Sequence, residues 1–185
     1  MTDARNESRQ AEERALLDRI SSQDRNALAE LYRRYHGRLF KFVFRMTRSH
    51  TLSDELVNDI MLIVWKSAAA FRGDSRVSTW IFGIAYRQTL KRLSKRQLEI
   101  APDKDPDSIA ANLGRNVERE DWIRFALDAL PPAQRLTTCL VFYVGLTYGE
   151  VAEVTGCPVN TVKTRMFHAR QKMKERLEET ANMAH

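Results

Sequence analysis

A helix-turn-helix signature lies in residues 145–177, which read GLTYGEVAEVTGCPVNTVKTRMFHARQKMKERL. Thr147 and Glu150 have the Thr-x-x-Glu spacing of a capping box, in which each side chain satisfies a free backbone N–H at a helix start. Gly156 can adopt the left-handed conformation that ends a helix, and Pro158 suits the first turn of the next one. A short glycine-containing turn between two helices is typical of the helix-turn-helix.

The second helix of this unit separates into distinct faces at about 100° per residue. One stripe is apolar and consists of Val162, Met166, Ala169, Met173 and Leu177. The opposite side carries Thr164, Phe167, His168 and Gln171, and its flanks carry Lys163, Arg165, Arg170, Lys172 and Lys174. A helix in the major groove of DNA needs base-edge readers in the middle and phosphate contacts at the sides. The alternative is a solvated amphipathic helix, in which the aromatic ring of Phe167 on the polar face has no explanation.

The composition indicates an all-α protein of one or two domains. The chain has 185 residues, 43% of them apolar, with 7 Gly and 5 Pro, and no alternating strand pattern stands out. This length corresponds to one or two domains on a prior of roughly 100–200 residues each.

The net charge of +6 is unevenly spread along the chain. Residues 1–96 carry 19 Lys and Arg against 11 Asp and Glu, residues 97–120 carry 3 against 6, and residues 121–185 carry 8 against 7. A basic first half, an acidic connection and a second half with its positive charge on one helix together indicate a nucleic-acid partner.

The remaining compositional features favour a cytoplasmic protein. Cys139 and Cys157 are the two cysteines, and they form no disulfide framework. The polar, charged N-terminus does not resemble a signal peptide, and no apolar run approaches the roughly 20 residues of a membrane span.

The chain divides into four segments. Residues 1–24 form a charged N-terminal segment with a short helix whose start is frayed. Residues 25–96 form a first helical domain, in which the apolar pattern is interrupted near Gly37. Residues 97–120 are acidic and contain proline, so they predict a flexible linker. Residues 121–182 form the second domain, with a helix over residues 133–143 ahead of the helix-turn-helix.

Two parts of the first domain each allow two interpretations. The core helix over residues 53–71 begins with an acidic group, Asp54, Glu55, Asn58 and Asp59. This group either complements the helix dipole or docks a basic partner. Further along, aromatic residues from Trp80 to Tyr86 lead into a basic run that includes Arg87, Lys91 and Arg92. Such a segment can hold single-stranded nucleic acid, although Trp80, Ile81 and Ile84 are better explained as core.

The sequence contains no positive indication of an enzyme or of a cofactor. A phosphate-cradling glycine loop and a Ser-x-Gly nucleophile elbow are absent from it. The four histidines, His36, His50, His168 and His185, have no metal-ligand spacing.

Taken in order, these patterns resemble the extracytoplasmic-function sigma factors of bacterial RNA polymerase over residues 27–177. The resemblance is carried by residues 31–35 (LYRRY), 54–59 (DELVND) leading to Trp65, 79–85 (TWIFGIA), 129–131 (ALP), 146–152 (LTYGEVA), 158–165 (PVNTVKTR) and 169–170 (AR). No single block is decisive, but their order and the acidic linker between them are specific.

The resemblance implies a partner for each surface. The acidic helix start, Asp54, Glu55, Asn58 and Asp59, would bind the clamp of the polymerase's largest catalytic subunit, and the second domain would meet the flap region. The first domain would capture bases of the melted −10 element, with Trp80, Tyr86, Arg87, Lys91 and Arg92 near the non-template strand. The last helix would read the −35 element through Thr161, Lys163, Thr164, Phe167, His168 and Gln171, with Arg165 and Arg170 on phosphates. The linker would thread through the polymerase, and an anti-sigma factor would hold the free protein back.

The sequence departs from the family pattern at two places. Arg87 and Lys91 stand where many members have Asn and Asp, which predicts a different −10 preference. Asn160 stands where Gly is frequent, which is a smaller departure.

Two rival classes remain at this point. A stand-alone helix-turn-helix regulator would bind duplex DNA without polymerase, but it gives no role to the acidic helix start. A helical adaptor that binds only a protein partner leaves Phe167 and the basic flanks unexplained.

Overall fold

The computed structural model describes residues 2–99 and 125–183, together with the side chains of residues 7–95 and 125–179. Within these ranges the chain is helical and contains no strand, as the sequence predicts. The α-helices are α1 (Thr2–Ser21), α2 (Arg25–Thr47), α3 (His50–Ser67), α4 (Val77–Glu99), α5 (Pro132–Cys139), α6 (Tyr148–Thr155) and α7 (Val159–Met183). A 3₁₀ turn, Ala68–Ala70, follows α3, and residues 125–128 are also helical.

Local chemistry sets the starts of α2 and α3. The carboxylate of Asp24 accepts hydrogen bonds from the backbone N–H groups of Asn26 and Ala27, and the Ser49 hydroxyl accepts one from Leu52. Both residues are N-caps that satisfy N–H groups which a helix start leaves without partners. Helices α2 and α3 therefore each begin at a defined residue.

The N-terminal segment is more ordered than the sequence predicts. Instead of a short helix with a frayed start, α1 is a 20-residue helix. Leu16, Leu17 and Ile20 are buried against the 3₁₀ turn and α2. Burial of three large aliphatic side chains against neighbouring elements compensates for the low apolar content of the helix.

The interruption predicted near Gly37 is wrong, because α2 runs through it without a break. Gly37 is exposed, and a glycine inside a helix costs about 1 kcal/mol relative to alanine. The residues on either side, Tyr35 and Leu39, are fully buried. Their packing outweighs the local preference of the glycine.

The helix predicted over residues 133–143 changes its winding partway. Helix α5 ends at Cys139 and continues as a π-helical turn, Leu140–Val144. Gly145 then ends the turn in the left-handed conformation, with φ +79°. The backbone N–H of Leu146 donates to the Leu140 carbonyl at 3.1 Å, which closes this wider turn.

The helix-turn-helix forms as predicted. Thr147 accepts a hydrogen bond from the Glu150 backbone N–H, and the Glu150 carboxylate accepts one from the Thr147 backbone N–H at 2.8 Å, which completes the capping box. Gly156 ends α6 with φ +67°, a conformation that glycine adopts without steric cost. Helix α7 follows after a turn of three residues.

The two halves of the chain share one continuous buried cluster, and α6 packs against α4. The predicted flexible linker begins at residue 97, but α4 extends to Glu99, so residues 97–99 are helical. The rest of that predicted linker, residues 100–120, lies outside the described residues.

Candidate nucleic-acid interface

The faces of α7 are arranged as the helical periodicity predicts. Val162, Met166 and Ala169 are buried, while Met173 and Leu177 are half-buried. On the opposite side, the residues Lys163, Thr164, Phe167, His168, Arg170 and Gln171 are exposed. The apolar stripe therefore anchors the helix and leaves the polar face accessible.

Phe167 is the most unusual residue of this face, because 64% of its surface is exposed. Its ring meets the ring of His168 edge to face, with 5.5 Å between centroids. The Thr164 hydroxyl donates to the Asn160 carbonyl at 3.0 Å, which leaves the oxygen's lone pairs free to accept. This face thus offers an aromatic ring, an imidazole and a hydroxyl side by side.

Two arginines at the edges of the face are positioned by contacts to the rest of the helix-turn-helix. Arg170 donates to the Tyr148 hydroxyl at 2.8 Å. Arg165 is half-buried, and its guanidinium lies 3.5 Å from the Cys157 sulfur. Thr161, the remaining residue predicted on this surface, is also half-buried.

The residues predicted for the −10 element lie on α4 and differ in burial. Arg87, Lys91 and Arg92 are exposed and make one side of the helix basic. Trp80 is half-buried, and its ring centroid lies 5.3 Å from that of Phe71. Ile81 and Ile84 belong to the core, as predicted.

Tyr86 is half-buried on the side of α4 that faces the helix-turn-helix. Burial raises the pKa of its phenol, and the nearby charge of Arg165 partly opposes that change. The sequence predicts Tyr86 at the −10 element and Arg165 at the −35 element, yet the charge of Arg165 is close enough to lower the pKa of the Tyr86 phenol.

The loop that precedes α4 is held by the N-terminal helix. Gly73 adopts the left-handed conformation with φ +78°, and its carbonyl accepts a hydrogen bond from Arg14 of α1 at 3.1 Å. This role of Arg14 could not be predicted from the sequence, because a contact between residues 59 positions apart leaves no local pattern.

The acidic group on α3 is fully accessible, since Asp54, Glu55, Asn58 and Asp59 are all exposed. Glu55 lies 3.4 Å from Arg92, whereas Asp54 and Asp59 form no ion pair with any described residue. Asn58 accepts a hydrogen bond from the Tyr32 hydroxyl at 3.2 Å.

The position of this group in the helix bears on the two interpretations left open above. Helix α3 begins at His50 with Ser49 as its cap, so the first turn contains no acidic residue. Dipole effects fall off within the first turn of a helix. The dipole interpretation therefore has little support, and docking of a basic partner remains the prediction.

Leu62 was missed by the sequence analysis and lies on the same stripe. It follows Asp54 and Asn58 at the four-residue spacing that aligns side chains on one helix face. Its surface is 49% exposed. Its place outside the apolar periodicity of α3 is the signal that could have identified it.

A second exposed apolar patch lies between the π-helical turn and α7. Phe142, which is 60% exposed, borders a groove with Met173 and Leu177. Charged residues surround this groove, namely Arg170, Lys174 and Glu178. An apolar groove with a charged border is typical of a protein-binding site.

Across residues 2–99 and 125–183, no group of three or more His, Cys, Asp or Glu side chains could hold a metal ion. Among the helices in these same ranges, none combines the length and apolarity needed to cross a bilayer.

Comparison with known proteins matches both halves to one superfamily. Residues 31–99 match the family "Sigma-70 region 2", and residues 120–173 match "Sigma-70, region 4". The chain is 30% identical over 173 residues to the ECF RNA polymerase sigma factor SigK of Mycobacterium tuberculosis, covering 89% of this chain and 92% of the relative. It is 29% identical over 180 residues to the ECF RNA polymerase sigma-E factor of Escherichia coli K12, covering 89% and 93%.

Solved structures show the same fold. The structure of CnrH in complex with the cytosolic domain of CnrY has a TM-score of 0.70 at 21% identity, covering 91% of this chain and 98% of that one. The sigma factor RpoE in complex with the anti-sigma factor NepR from Bartonella quintana has a TM-score of 0.64 at 22% identity, covering 80% and 97%.

A helical protein with a sigma-70 region 2, a sigma-70 region 4 and an exposed helix-turn-helix face is a promoter-specificity subunit of RNA polymerase. Within that class, this chain belongs to the extracytoplasmic-function sigma factors. Sigma factors are transcription initiation factors and are not themselves enzymes, which agrees with the expectation from the sequence.

Proposed function

We propose that α7 reads the −35 element of the promoter with the exposed face around Phe167. Lys163, Thr164 and His168 lie near the bases, together with Thr161 and Gln171 at the edges. Arg165 and Arg170 contact phosphates from the flanks. The observation that carries this proposal is the 64% exposure of the Phe167 side chain on a face bordered by positive charge. Exposure of an aromatic ring to water is unfavourable, so a binding partner that covers the ring explains its position.

The −10 element is captured by α4 and the loop before it. Arg87, Lys91 and Arg92 supply a positive surface for the strand backbone, while Trp80 and Tyr86 offer rings for unstacked bases. The exposure of the three cations supports their part of this assignment. Trp80 and Tyr86 are half-buried, so each presents only part of its ring to the DNA.

Core RNA polymerase binds along the exposed stripe of α3. Asp54, Asn58 and Leu62 supply acidic, amide and apolar groups at successive turns, and beside them Asp59 adds a carboxylate that pairs with no described residue. This combination suits a basic helical surface such as the polymerase clamp, with Leu62 as the apolar anchor. The groove bordered by Phe142 is the surface we assign to the flap region.

An anti-sigma factor is the expected regulatory partner, and the protein acts in the cytoplasm where polymerase is found. The RpoE structure of the same fold is a complex with the anti-sigma factor NepR. A free promoter-specificity subunit competes for core polymerase, so its activity requires restraint.

Transcription in vitro tests this function directly. Bacterial core polymerase is mixed with the protein and a fragmented genomic library, and transcript starts are mapped. Discrete new starts that share two upstream elements are the expected result. Duplex binding by the protein alone, without new starts, would favour the stand-alone regulator instead.

A further inference from the structure

Asn160 is the second residue of α7, and its side chain is exposed. Among the described residues this side chain has no hydrogen-bond partner, whereas the backbone carbonyl of Asn160 accepts from the Thr164 hydroxyl at 3.0 Å. The side-chain amide is therefore available to a partner outside the chain.

Helix capping does not explain an asparagine at this position. Helix α7 begins at Val159, and the Pro158 carbonyl accepts from the backbone N–H groups of Thr161 and Val162 at 2.9 and 3.2 Å. Asparagine stabilises a helix mainly as the N-cap, which precedes the first helical residue. Inside a helix it is less favourable than alanine, because its amide competes for backbone hydrogen bonds in other conformations. The fold by itself therefore gives no reason for this residue.

Asn160 lies in the middle of the exposed face of α7. At about 100° per residue, its direction from the helix axis differs by about 20° from that of Phe167 and by about 20° from that of Gln171. The face around Phe167 thus extends back to the first turn of the helix. In a helix-turn-helix, the N-terminal residues of the second helix are the ones that contact base edges. Asn160 has this position.

The primary amide of Asn160 offers a hydrogen-bond donor and an acceptor side by side. In the major groove adenine presents the complementary pair, its N6 amino group as donor and its N7 as acceptor. Guanine presents two acceptors there, and cytosine presents an amino donor. An asparagine side chain can therefore form two hydrogen bonds with adenine, and it selects this base over the others.

The hydrogen bond between Thr164 and the Asn160 carbonyl restricts a second base. The hydroxyl hydrogen of Thr164 is used in this bond, so its oxygen acts toward DNA as an acceptor. Adenine and cytosine carry amino groups in the major groove, whereas guanine and thymine do not. Thr164 therefore favours a neighbouring base with an amino group. Substitution of the Asn160 side chain leaves this bond in place, because the bond uses the backbone carbonyl.

We infer that Asn160 is a specificity-determining residue of the −35 surface and that its side-chain amide reads an adenine. This inference rests on the proposed function of α7 and adds to it the identity of one base. The competing interpretation is a contact between the amide and a phosphate. Such a contact would add affinity for DNA without a preference for any base.

Binding of the holoenzyme, reconstituted from core polymerase and the full chain, to variants of one promoter tests the inference. The promoter is taken from the mapped transcript starts, and each position of its −35 element is replaced by all four bases. Competition for a limiting amount of holoenzyme, followed by sequencing of the bound DNA, gives the relative affinities. The wild type is expected to prefer adenine, on either strand, roughly tenfold at one position. Asn160→Ala should lose the preference at that position alone.

Two further variants make the test specific. Asn26→Ala is the matched control, because Asn26 is also exposed and is also the second residue of a helix, α2. This variant should leave the whole base profile unchanged. Asn160→Asp should change the preference at the same position from adenine to cytosine, because a carboxylate accepts from the cytosine N4 amino group but cannot donate to adenine N7. A negative charge suits the first turn of a helix, so this variant keeps the test valid if Asn160→Ala should lower the helicity.

An equal loss of affinity for every −35 variant in Asn160→Ala would indicate a phosphate contact and overturn the base assignment. Loss of a preference for a base other than adenine would overturn the choice of adenine, and an unchanged profile would overturn any role of Asn160 in DNA binding. Failure of the proposed function would be recognised separately, since the wild-type holoenzyme would then show no base preference at the −35 element.

Discussion

The guanidinium carbon of Arg45 lies 3.4 Å from the centre of the Tyr143 ring, so a side chain of α2 stacks on the π-helical turn of the other half. Such cation–π contacts are worth about 0.5–2 kcal/mol, depending on how well water is excluded. This pair therefore contributes measurably to the association of the halves.

Arg45→Gln and Tyr143→Leu are each expected to lower the free energy of unfolding, and the double variant to lower it by less than their sum. The expected coupling is about 1 kcal/mol, measured by urea denaturation in a double-mutant cycle. Arg33→Gln is the control, since Arg33 is exposed on the same helix and, among the described residues, its side chain donates to the Ala29 carbonyl one turn before it. Strict additivity of the two substitutions would show that the stacking contributes nothing to the free energy of unfolding.

Phe167→Ala is expected to weaken binding to a duplex carrying the −35 element about tenfold, since a good base contact is worth about 1–3 kcal/mol. The thermal midpoint should stay unchanged, because the ring is exposed and packs on little besides His168. Phe125→Ala is the control, as Phe125 is also exposed but stacks with Arg176 away from this face. Transcription at the wild-type rate from the protein's own promoter would contradict the assignment.

Asp59→Arg is expected to weaken binding to core polymerase and to leave the fold intact, because the side chain is exposed and makes no ion pair among the described residues. Leu62→Asn should weaken the same binding through loss of the apolar anchor, by about 1–2 kcal/mol. Affinity is measured by anisotropy with labelled protein. Asp18→Arg on α1 is the control for the charge change, since Asp18 is also exposed and lies on another helix. Equal losses in Asp18→Arg and Asp59→Arg would show a general charge effect in place of a docking site.

Arg14→Gln is expected to slow formation of the open promoter complex and to spare binding to the −35 duplex. The reason is positional: Arg14 donates to the Gly73 carbonyl and so fixes the loop that leads into Trp80. Permanganate footprinting of the melted −10 element measures the first effect, and anisotropy with duplex DNA measures the second. Arg14→Lys should restore part of the rate, because an ammonium group can also donate to a carbonyl. A parallel loss of duplex binding would mean that the variant disturbs the fold as a whole.

The acid dependence of stability should reveal the charge of Glu150. Burial by itself would raise the pKa of this carboxyl, but the Thr147 backbone N–H, the Thr147 and Thr79 hydroxyls and the charge of Arg76 together hold it below its usual 4.5. A lowered pKa in the folded state means that the stabilisation is complete above the unfolded-state pKa and disappears as pH falls through the folded-state value.

The unfolding free energy of the wild type should therefore exceed that of Glu150→Gln near neutral pH, and the difference should shrink as the pH falls below about 4.5. Urea denaturation of both proteins at several pH values measures this difference. The other carboxylates are present in both proteins, so their titration cancels when the two free energies are subtracted. A difference that stays constant from pH 7 to pH 3 would show that the carboxylate charge is not involved.

Much of the helix-turn-helix could be predicted from residues close together in sequence. The capping box of Thr147 and Glu150, the terminating Gly156 and the apolar stripe from Val162 all act within one or two turns, so their effects are visible in a short window. The exposure of Phe167 follows from the same helical periodicity. Helix α1 and the continuity of α2 through Gly37 were predicted less well, because packing against distant elements overrides weak local preferences.

The acidic stripe of α3 shows more clearly what could not be predicted from the sequence. Its residues were predicted from the sequence, and the helix start at His50 bears on the dipole interpretation, while docking of a basic partner stays a prediction. Leu62 became visible as part of the stripe only when its exposure was known. The identity of a hydrophobic residue does not show whether its side chain is buried in the core or exposed for a partner.

The amino-acid sequence by itself thus determined the helix-turn-helix, its capping box and the exposed face of α7 around Phe167, because these properties arise from neighbours one to four residues apart. The meeting of Glu150 with Thr79, of Arg45 with Tyr143 and of Arg14 with Gly73 depends on how the helices pack in three dimensions. These pairs are separated by between 59 and 98 positions in the chain. At such separations chain entropy opposes the contact and only the combined burial of a shared core can hold it.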